Sequence, residues 1–280
     1  MRLAEIKSSL VAILEQNSDV ENAPRELSII IEDVTGLDKI KQILEPNIDI
    51  DDNSLCIIKE KINLRKNHTP LSYIIGKREF YGLNFYVSSD TLIPRPDTET
   101  IVEEAINEIK VLKKPKVLDL CTGTGAIGIS IKANTNCDIT LSDISNKALE
   151  VTRKNAEALI NNECKIVQSN LFENIDDEFD IVVTNPPYLT AQWYDEVTEE
   201  VKHEPKLALV SSGDDGLDLI REIIKSAPKH LKNGGILLIE CDYRQTKLCA
   251  KLLETANFTN IKIIKDLAQK ERVVRGSYYA

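Results

Sequence analysis

The chain has 280 residues, 42% of them apolar, and carries a formal net charge of −10 with a pI near 5.0. That length and apolar content supply one large or two modest domains with full cores. The acidic balance argues against a general nucleic-acid binder, which needs a Lys/Arg surface to neutralise phosphates. It suits either a partner with a basic patch or plain solubility.

Residues 1–67 read as helices. Leu3, Ile6, Leu10, Ile13 and Leu14 recur at three- and four-residue steps, as on one helix face. Glu5 and Lys7 interrupt that stretch, so it is no signal-peptide core. Pro24 suits the first turn of a second helix, which carries Leu27, Ile30, Ile31 and Val34 and ends near Gly36. Leu37, Ile40, Ile43 and Leu44 suggest a third helix stopped by Pro46, and Asp52 would cap a fourth carrying Leu55, Ile58 and Ile62. Such a bundle either stabilises the chain or docks a partner. Residues 70–90, with Tyr73, Phe80, Tyr81, Phe85 and Tyr86 spaced around Gly76 and Gly82, read as hairpin-like β structure between two domains.

From about residue 91 strands and helices alternate, which implies an α/β, mostly parallel, doubly wound sheet. Lys116–Leu120 is a short run rich in branched residues, suited to a buried parallel strand. It feeds Cys121-Thr122-Gly123-Thr124-Gly125 and then a helical pattern through Ile129, Ile131 and Ala133. A strand, a Gly-bearing turn and a helix N-terminus make a ligand crevice, although a tight structural turn uses the same residues. Asp138 to Ser142 read as a second strand. Asp143 closes it, where a carboxylate either accepts both hydroxyls of a ribose or caps the approaching helix. Ser145 suits an N-cap for a helix from Asn146 to about Ile160. Later strands are read at 165–168, 179–184 and 236–240, with Asn233-Gly234-Gly235 as the turn before the last of these. Residues 261–265 and 272–277 would close the sheet as an antiparallel pair, giving seven strands. No apolar run reaches membrane-spanning length. Cys56, Cys121, Cys137, Cys164, Cys241 and Cys249 show no CxxC spacing, and His68, His203 and His230 are isolated. No metal site is expected, and the scattered thiols fit a reducing, cytoplasmic setting.

Asn185-Pro186-Pro187-Tyr188, at the end of the apolar run Phe179 to Thr184, is the stretch richest in chemistry. A strand ending in Asn-Pro-Pro offers acceptors without donors: an amide oxygen, then carbonyls from residues that lack an N–H. Such a set grips a planar –NH2 by both hydrogens. An amide or exocyclic-amine nitrogen is a poor nucleophile because its lone pair is delocalised. Holding both hydrogens out of plane returns the lone pair to nitrogen as an electrophile approaches. The bland alternative is a Pro-rich turn closing a strand. Hydride-transfer enzymes have no need of a donor-free amine clamp, so the motif selects amine methylation over dinucleotide chemistry.

The pattern of Asp119 to Gly125, Asp143 and Asn185 to Tyr188 resembles class I S-adenosylmethionine-dependent N-methyltransferases. That implies a seven-stranded, mostly parallel doubly wound sheet with a small N-terminal helical domain. Further segments narrow the resemblance. They are Pro70 to Gly76, Glu79-Phe80-Tyr81-Gly82-Leu83, Leu92-Ile93-Pro94-Arg95-Pro96-Asp97-Thr98-Glu99, Glu204-Pro205, Gly213 to Leu217, Asp266-Leu267-Ala268 and Arg272-Val273-Val274. Together they are similar to the HemK/PrmC family, protein-(glutamine-N5) methyltransferases acting on class 1 peptide chain release factors. The resemblance covers nearly the whole chain and is weakest over the N-terminal helices. It implies S-adenosyl-L-methionine as cofactor and a release factor, methylated on the glutamine of its Gly-Gly-Gln motif, as protein substrate. With the acidic charge and the scattered thiols, the expectation is a cytoplasmic monomer without stable nucleic-acid or membrane binding. The domains would be an N-terminal helical bundle for substrate docking (1–69), a β-hairpin linker (70–90) and a methyltransferase domain (91–280). Three departures stand out: Cys121 replaces the usual first glycine of the loop, Glu240-Cys241-Asp242 a commoner Glu-Ile-Gly, and Gln269-Lys270-Glu271 a commoner Gly-x-Asp. The last two are read as lying away from the chemistry.

The resemblance also implies roles. Asp119 with Cys121, Thr122, Gly123, Thr124 and Gly125 would hold the methionyl part of the cofactor by backbone contact. Asp143 would hold the ribose. Asn170 and Leu171 would border the adenine, unless Asn170 is only a turn residue. Asn185, beside the cofactor, and the Pro186 carbonyl would accept the two hydrogens of the substrate amide. Pro187 would complete the clamp, and Tyr188 would pack against the flat amide. Arg95 faces the cofactor or the peptide, or forms a rigid surface turn. The segment from Leu189 to Leu209 reads as a lid over the bound peptide, with Trp193 either part of it or a packing anchor. The competing readings are a nucleic-acid methyltransferase acting on adenine N6 or guanine N2, and a non-enzymatic binding module on the same fold.

Overall fold

In the computed structural model, which describes residues 1–280, helices form where the apolar spacing puts them: α1 (Leu3–Leu14), α2 (Ala23–Thr35), α3 (Lys39–Leu44) and α4 (Asp52–Lys66). Leu3, Ile6, Leu10 and Leu14 pack with Leu27, Ile30, Ile31, Leu55, Ile58 and Ile62 in one apolar core. Side chains cap the exposed N-termini: Asn22, Asp38 and Asp51 each accept from the backbone N–H three residues on. The α4 cap is thus Asp51, one residue ahead of the expected Asp52. α3 differs from its apolar pattern. Ile40, Ile43 and Leu44 are exposed, and the buried residue is Gln42, whose Nε2 donates to the Ser28 and Leu37 carbonyls at 2.9 and 2.8 Å. Two backbone acceptors thus set the roll of this six-residue helix.

One charge is buried in this unit. Arg65 is 2% exposed. Its guanidinium donates to Glu26 at 2.6 Å and to the Asp19 carbonyl at 3.0 Å, and lies 3.1 Å from Glu200. Asn17 Nδ2 in turn donates to the Arg65 carbonyl at 2.6 Å. Glu200 is distant in sequence because the unit is discontinuous: it comprises Met1–Lys77 together with Val197–His203. Its first boundary lies beyond the expected residue 69. Leu71–Ile75 is a helix, α5, closed by Gly76 at φ 69° and tied to α4 by Lys61 Nζ donating to the Ile74 carbonyl at 2.6 Å. Tyr73 therefore belongs to a helix, and only β1 (Lys77–Phe80) and β2 (Leu83–Tyr86) form the two-stranded sheet expected over 70–90.

The second unit comprises Arg78–Glu196 and Glu204–Ala280. Its order is α6 (Glu99–Ile109), β3 (Lys116–Leu120), α7 (Ala126–Asn134), β4 (Asp138–Asp143), α8 (Asn146–Ile160), β5 (Lys165–Gln168), β6 (Phe179–Thr184) and α9 (Ala191–Asp195). After α10 (Glu199–Lys202), which falls in the first unit, come α11 (Lys206–Leu209), α12 (Asp218–Ser226), β7 (Leu231–Glu240), α13 (Thr246–Thr255), β8 (Phe258–Lys265) and β9 (Glu271–Tyr278). The seven strands lie in the order β5-β4-β3-β6-β7-β9-β8. They are parallel except that β9 runs against both neighbours. Successive side chains feed opposite layers: Val117, Ile181 and Val183 point into one apolar core, Leu118, Leu120 and Val182 into the other. β7 starts earlier than expected. Asn233-Gly234-Gly235 lies inside it as an irregularity, since pairing jumps from Phe179↔Leu231 to Ile181↔Ile236.

Winding reverses at β3, with β4 on one side and β6 on the other, so a crevice opens beyond their carboxyl ends. The register aligns those ends, pairing Leu120 with both Ser142 and Thr184, and Thr184 with Ile239. No helix is long and apolar enough to cross a membrane.

Candidate active site

The crevice at this switch point is walled by Leu92, Pro94, Arg95 and Thr98 before the sheet, by Cys121 to Thr124, by Asp143 to Ser145 and by Ser169 to Leu171. Asn185, Pro187, Pro205, Leu207 and Ala208 complete it. The β3–α7 loop turns through left-handed conformations at Cys121 (φ 62°), Gly123 (56°) and Gly125 (83°). A methyl group on Gly123 would meet nothing within 4 Å, so its backbone is open to a ligand. One on Gly128 would lie 2.3 Å from Leu141 Cδ2 and 2.9 Å from Asp119 Cβ. Only a bare Cα lets α7 lie this close to β3 and β4. The loop is pinned from behind by Thr152 Oγ1 donating to the Gly123 carbonyl at 2.8 Å and Asn155 Nδ2 to that of Thr124 at 2.9 Å. Cys121 takes a φ that suits glycine. Burial, reinforced by the Asp143 charge, pushes its thiol up to about 12, which favours the protonated form.

Asp119 stands under the loop rather than in the crevice. It is wholly buried, and its Oδ2 accepts from Thr122 Oγ1 at 2.5 Å and from Gly128 N at 2.9 Å, while Oδ1 has no partner. It braces the turn, and Gly125 likewise lies behind it. Burial pushes the carboxyl up from 3.8 to about 7 against those hydrogen bonds. Between these pH values the folded state binds the proton more than the unfolded chain does. The contribution of this group to stability is therefore fully present below about pH 4 and lost as pH rises through about 7. Asp119→Asn keeps an acceptor for Gly128 N and does not titrate. In urea denaturation of the cofactor-free protein, wild type should lose roughly 4 kcal/mol relative to this variant between pH 4 and pH 8. Parallel curves would contradict the assignment.

Asp143 does face the crevice. Its Oδ2 accepts from Gly123 N and its Oδ1 from Ser145 N, both at 2.9 Å. Each oxygen keeps a further lone pair for a hydroxyl. Burial raises its pKa above 3.8. Beyond β5, Asn170 and Leu171 both line the crevice. Leu171 takes φ 47°, and Asn170 Nδ2 donates to Glu173 at 2.9 Å.

As the chain leaves β6 its side chains alternate. Asn185 and Pro187 line the crevice, whereas Pro186 and Tyr188 do not. The Tyr188 side chain is half-buried and packs against the core layer containing Leu217 and Cys241. The Tyr188 carbonyl accepts from Gln245 Nε2 at 2.9 Å, and Gly216 passes so close that a methyl group there would be 2.2 Å from the same oxygen. Asn185 Nδ2 donates to Glu240 Oε1 at 3.0 Å and lies 3.5 Å from Thr98 Oγ1. Thr98 Oγ1 itself donates to Glu240 Oε1 at 3.0 Å. Burial pushes Glu240 up from 4.5 to about 7, opposed by the Thr98 hydrogen bond and the Arg272 charge.

Glu240, expected to lie away from the chemistry, and Thr98, to which the sequence pattern gave no role, both touch Asn185. A carboxylate closing a central apolar strand, as Asp143 does, was the available signal. Arg95 proves to line the crevice, paired with Glu204, whose other oxygen accepts from Ile93 N at 2.9 Å. Of the segment from Leu189 to Leu209, only Pro205, Leu207 and Ala208 reach the crevice wall. Trp193 lies outside it, beneath the Arg244 guanidinium at 3.5 Å, which is the anchoring arrangement.

Residues 7–76 match the PrmC N-terminal domain model and residues 100–214 the Methyltransferase small domain model. The chain is 37% identical to the release factor glutamine methyltransferase of Clostridium acetobutylicum, covering 96% of this chain and 97% of that protein. It is 34% identical to the protein of the same name from Flavobacterium psychrophilum, over 99% and 100% of the two chains. A methyltransferase structure from Pyrococcus furiosus superposes with TM-score 0.55 at 16% identity, over 82% of this chain and all of that one, which marks a shared fold.

Proposed function

Because the chain belongs to the release factor glutamine methyltransferase family, we propose that it methylates N5 of the glutamine in the Gly-Gly-Gln motif of class 1 peptide chain release factors. The cofactor is S-adenosyl-L-methionine, which supplies an electrophilic methyl group when bound. The donor set suits it: an open backbone at Gly123 and a carboxylate, Asp143, with lone pairs to spare on each oxygen. In this reading Asp143 accepts the ribose hydroxyls, the backbone from Cys121 to Gly125 cradles the methionyl end, and Asn170 and Leu171 border the adenine. Asp143→Ala should weaken cofactor binding by about 1.5–3 kcal/mol, the scale of hydrogen bonds to a charged group. Calorimetry with S-adenosylhomocysteine measures it, and unchanged affinity removes the ribose role.

The observation that carries the reading is the Asn185 amide, whose NH2 is held from behind by Glu240 and Thr98. Its Oδ1, with the Pro186 carbonyl, accepts the two hydrogens of the substrate amide. That draws the nitrogen lone pair out of conjugation and aligns it for in-line displacement. Positioning supplies most of the rate gain. No strong base is required early, because an alkylated amide nitrogen loses its proton readily. Tyr188 braces the motif from the core side.

The helical unit docks the release factor, and the net charge of −10 suits a substrate with a basic surface. The chain acts as a cytoplasmic monomer without stable binding to nucleic acid. Intact-mass analysis of class 1 release factors after incubation with enzyme and cofactor tests the proposal. One added methyl group on the Gly-Gly-Gln glutamine is the expected result. Transfer of labelled methyl to DNA or ribosomal RNA instead would favour adenine N6 or guanine N2 chemistry, and no transfer at all would point to a binding module.

A further inference from the structure

We propose that Glu240 is a positioning residue for methyl transfer, which dictates which end of the Asn185 amide faces the crevice. The inference rests on the role given above to Asn185. An asparagine amide presents either an acceptor or a donor, and the two orientations fill the same space. Only the acceptor can meet a substrate –NH2; the reversed amide would set donor against donor.

The sheet register places the two residues together. Thr184 pairs with Ile239, so the next residues, Asn185 and Glu240, leave the sheet side by side. Glu240 is 3% exposed and absent from the crevice wall, so it acts on substrate only through its neighbour. Glu240 Oε1, which accepts from two neighbours, has no hydrogen to donate whether the carboxyl is ionised or carries its proton on the unpartnered Oε2. Thr98 Oγ1 has one, and it is spent on Glu240 Oε1 at 3.0 Å. Both groups behind the amide are therefore acceptors: Glu240 Oε1 at 3.0 Å from Nδ2 and Thr98 Oγ1 at 3.5 Å. Reversing the amide would press its oxygen against a carboxylate oxygen inside the protein. The bias toward the productive orientation is on the order of 10–100-fold, as for one hydrogen bond to a charged group.

The test uses the full chain and four variants. Glu240→Leu removes the acceptor and should lower kcat by roughly 10–100-fold, with affinity for S-adenosylhomocysteine unchanged within about twofold. Glu240→Gln offers an amide oxygen in the same place and should stay within about fivefold of wild type. Asn185→Asp sets a second carboxylate about 3.0 Å from the first and should be strongly impaired. Adding Glu240→Gln to it supplies a donor to the new carboxylate and should restore kcat by at least about tenfold. A purely structural glutamate would not give that rescue. The 15N side-chain resonance of Asn185, identified by its loss in Asn185→Ala, gives a readout independent of turnover. Its amide protons should be protected from exchange in wild type and Glu240→Gln and unprotected in Glu240→Leu. Equal kcat in wild type and Glu240→Leu, failure of the double variant to recover, or unaltered protection in Glu240→Leu would each overturn the inference. If wild type methylates no release factor, the proposed function falls, while the amide resonance still decides whether Glu240 orients Asn185.

Discussion

Replacing Asn185 by alanine is expected to lower kcat for release factor methylation by about 10²–10³, the loss that follows removal of one preorganised polar contact. The loss should fall on kcat because the contact strengthens as the amide nitrogen pyramidalises, a change that occurs on the way to the transition state. The side chain also lines the crevice, so a small drop in cofactor affinity, less than about 1 kcal/mol, should accompany it. Single-turnover rates with saturating cofactor separate the two effects. A rate within tenfold of wild type would mean that the Pro186 carbonyl and substrate placement suffice without the amide. Loss confined to cofactor affinity would make Asn185 a cofactor ligand and nothing more.

Arg65→Ala should cost the helical unit roughly 3–5 kcal/mol, the penalty for breaking a buried ion pair from one side. The guanidinium neutralises two carboxylates, Glu26 and Glu200, whose side chains are 15% and 28% exposed, and it also satisfies the Asp19 carbonyl. Without it two negative groups confront each other at low dielectric, and a carbonyl is left unpaired. Urea denaturation followed by far-UV circular dichroism, with native-state hydrogen exchange to localise the loss, measures it. The triple change Arg65→Met, Glu26→Gln, Glu200→Gln should recover most of the deficit, because the burial cost goes with the charges. A deficit below about 1 kcal/mol for Arg65→Ala would place the cluster among ordinary surface pairs.

Much of this was legible because short-range physics dominates it. The spacing of Leu3, Ile6, Leu10 and Leu14 marks a helix face, and the branched run at Val117 to Leu120 a strand buried on both sides. Asp143 and Asn185 announce themselves by standing where strands end at a crevice. What escaped depends on partners far off in sequence. Tyr73 looked like part of an aromatic hairpin, but Lys61 donating to the Ile74 carbonyl and Gly76 at φ 69° make that stretch a helix. Asp119 passed for a cofactor contact because its place in the motif is conspicuous, whereas its depth follows from the approach of α7 at Gly128. Arg65 reads as one more polar residue on α4 until Glu200 arrives from elsewhere in the chain. Glu240 needs the pairing of β6 with β7 before its neighbour is known.

The detour of Val197–His203 into the helical unit bears on how such a protein can be cut and recombined. Its modules do not correspond to separable lengths of gene: removing residues 1–77 would strip Glu200 of its guanidinium and leave Val197–His203, α10 included, without their native surroundings. Grafting the helices onto another catalytic core would require moving both pieces together. Exchanging the helical unit between relatives would then take three crossovers, one after residue 77 and one on each side of 197–203.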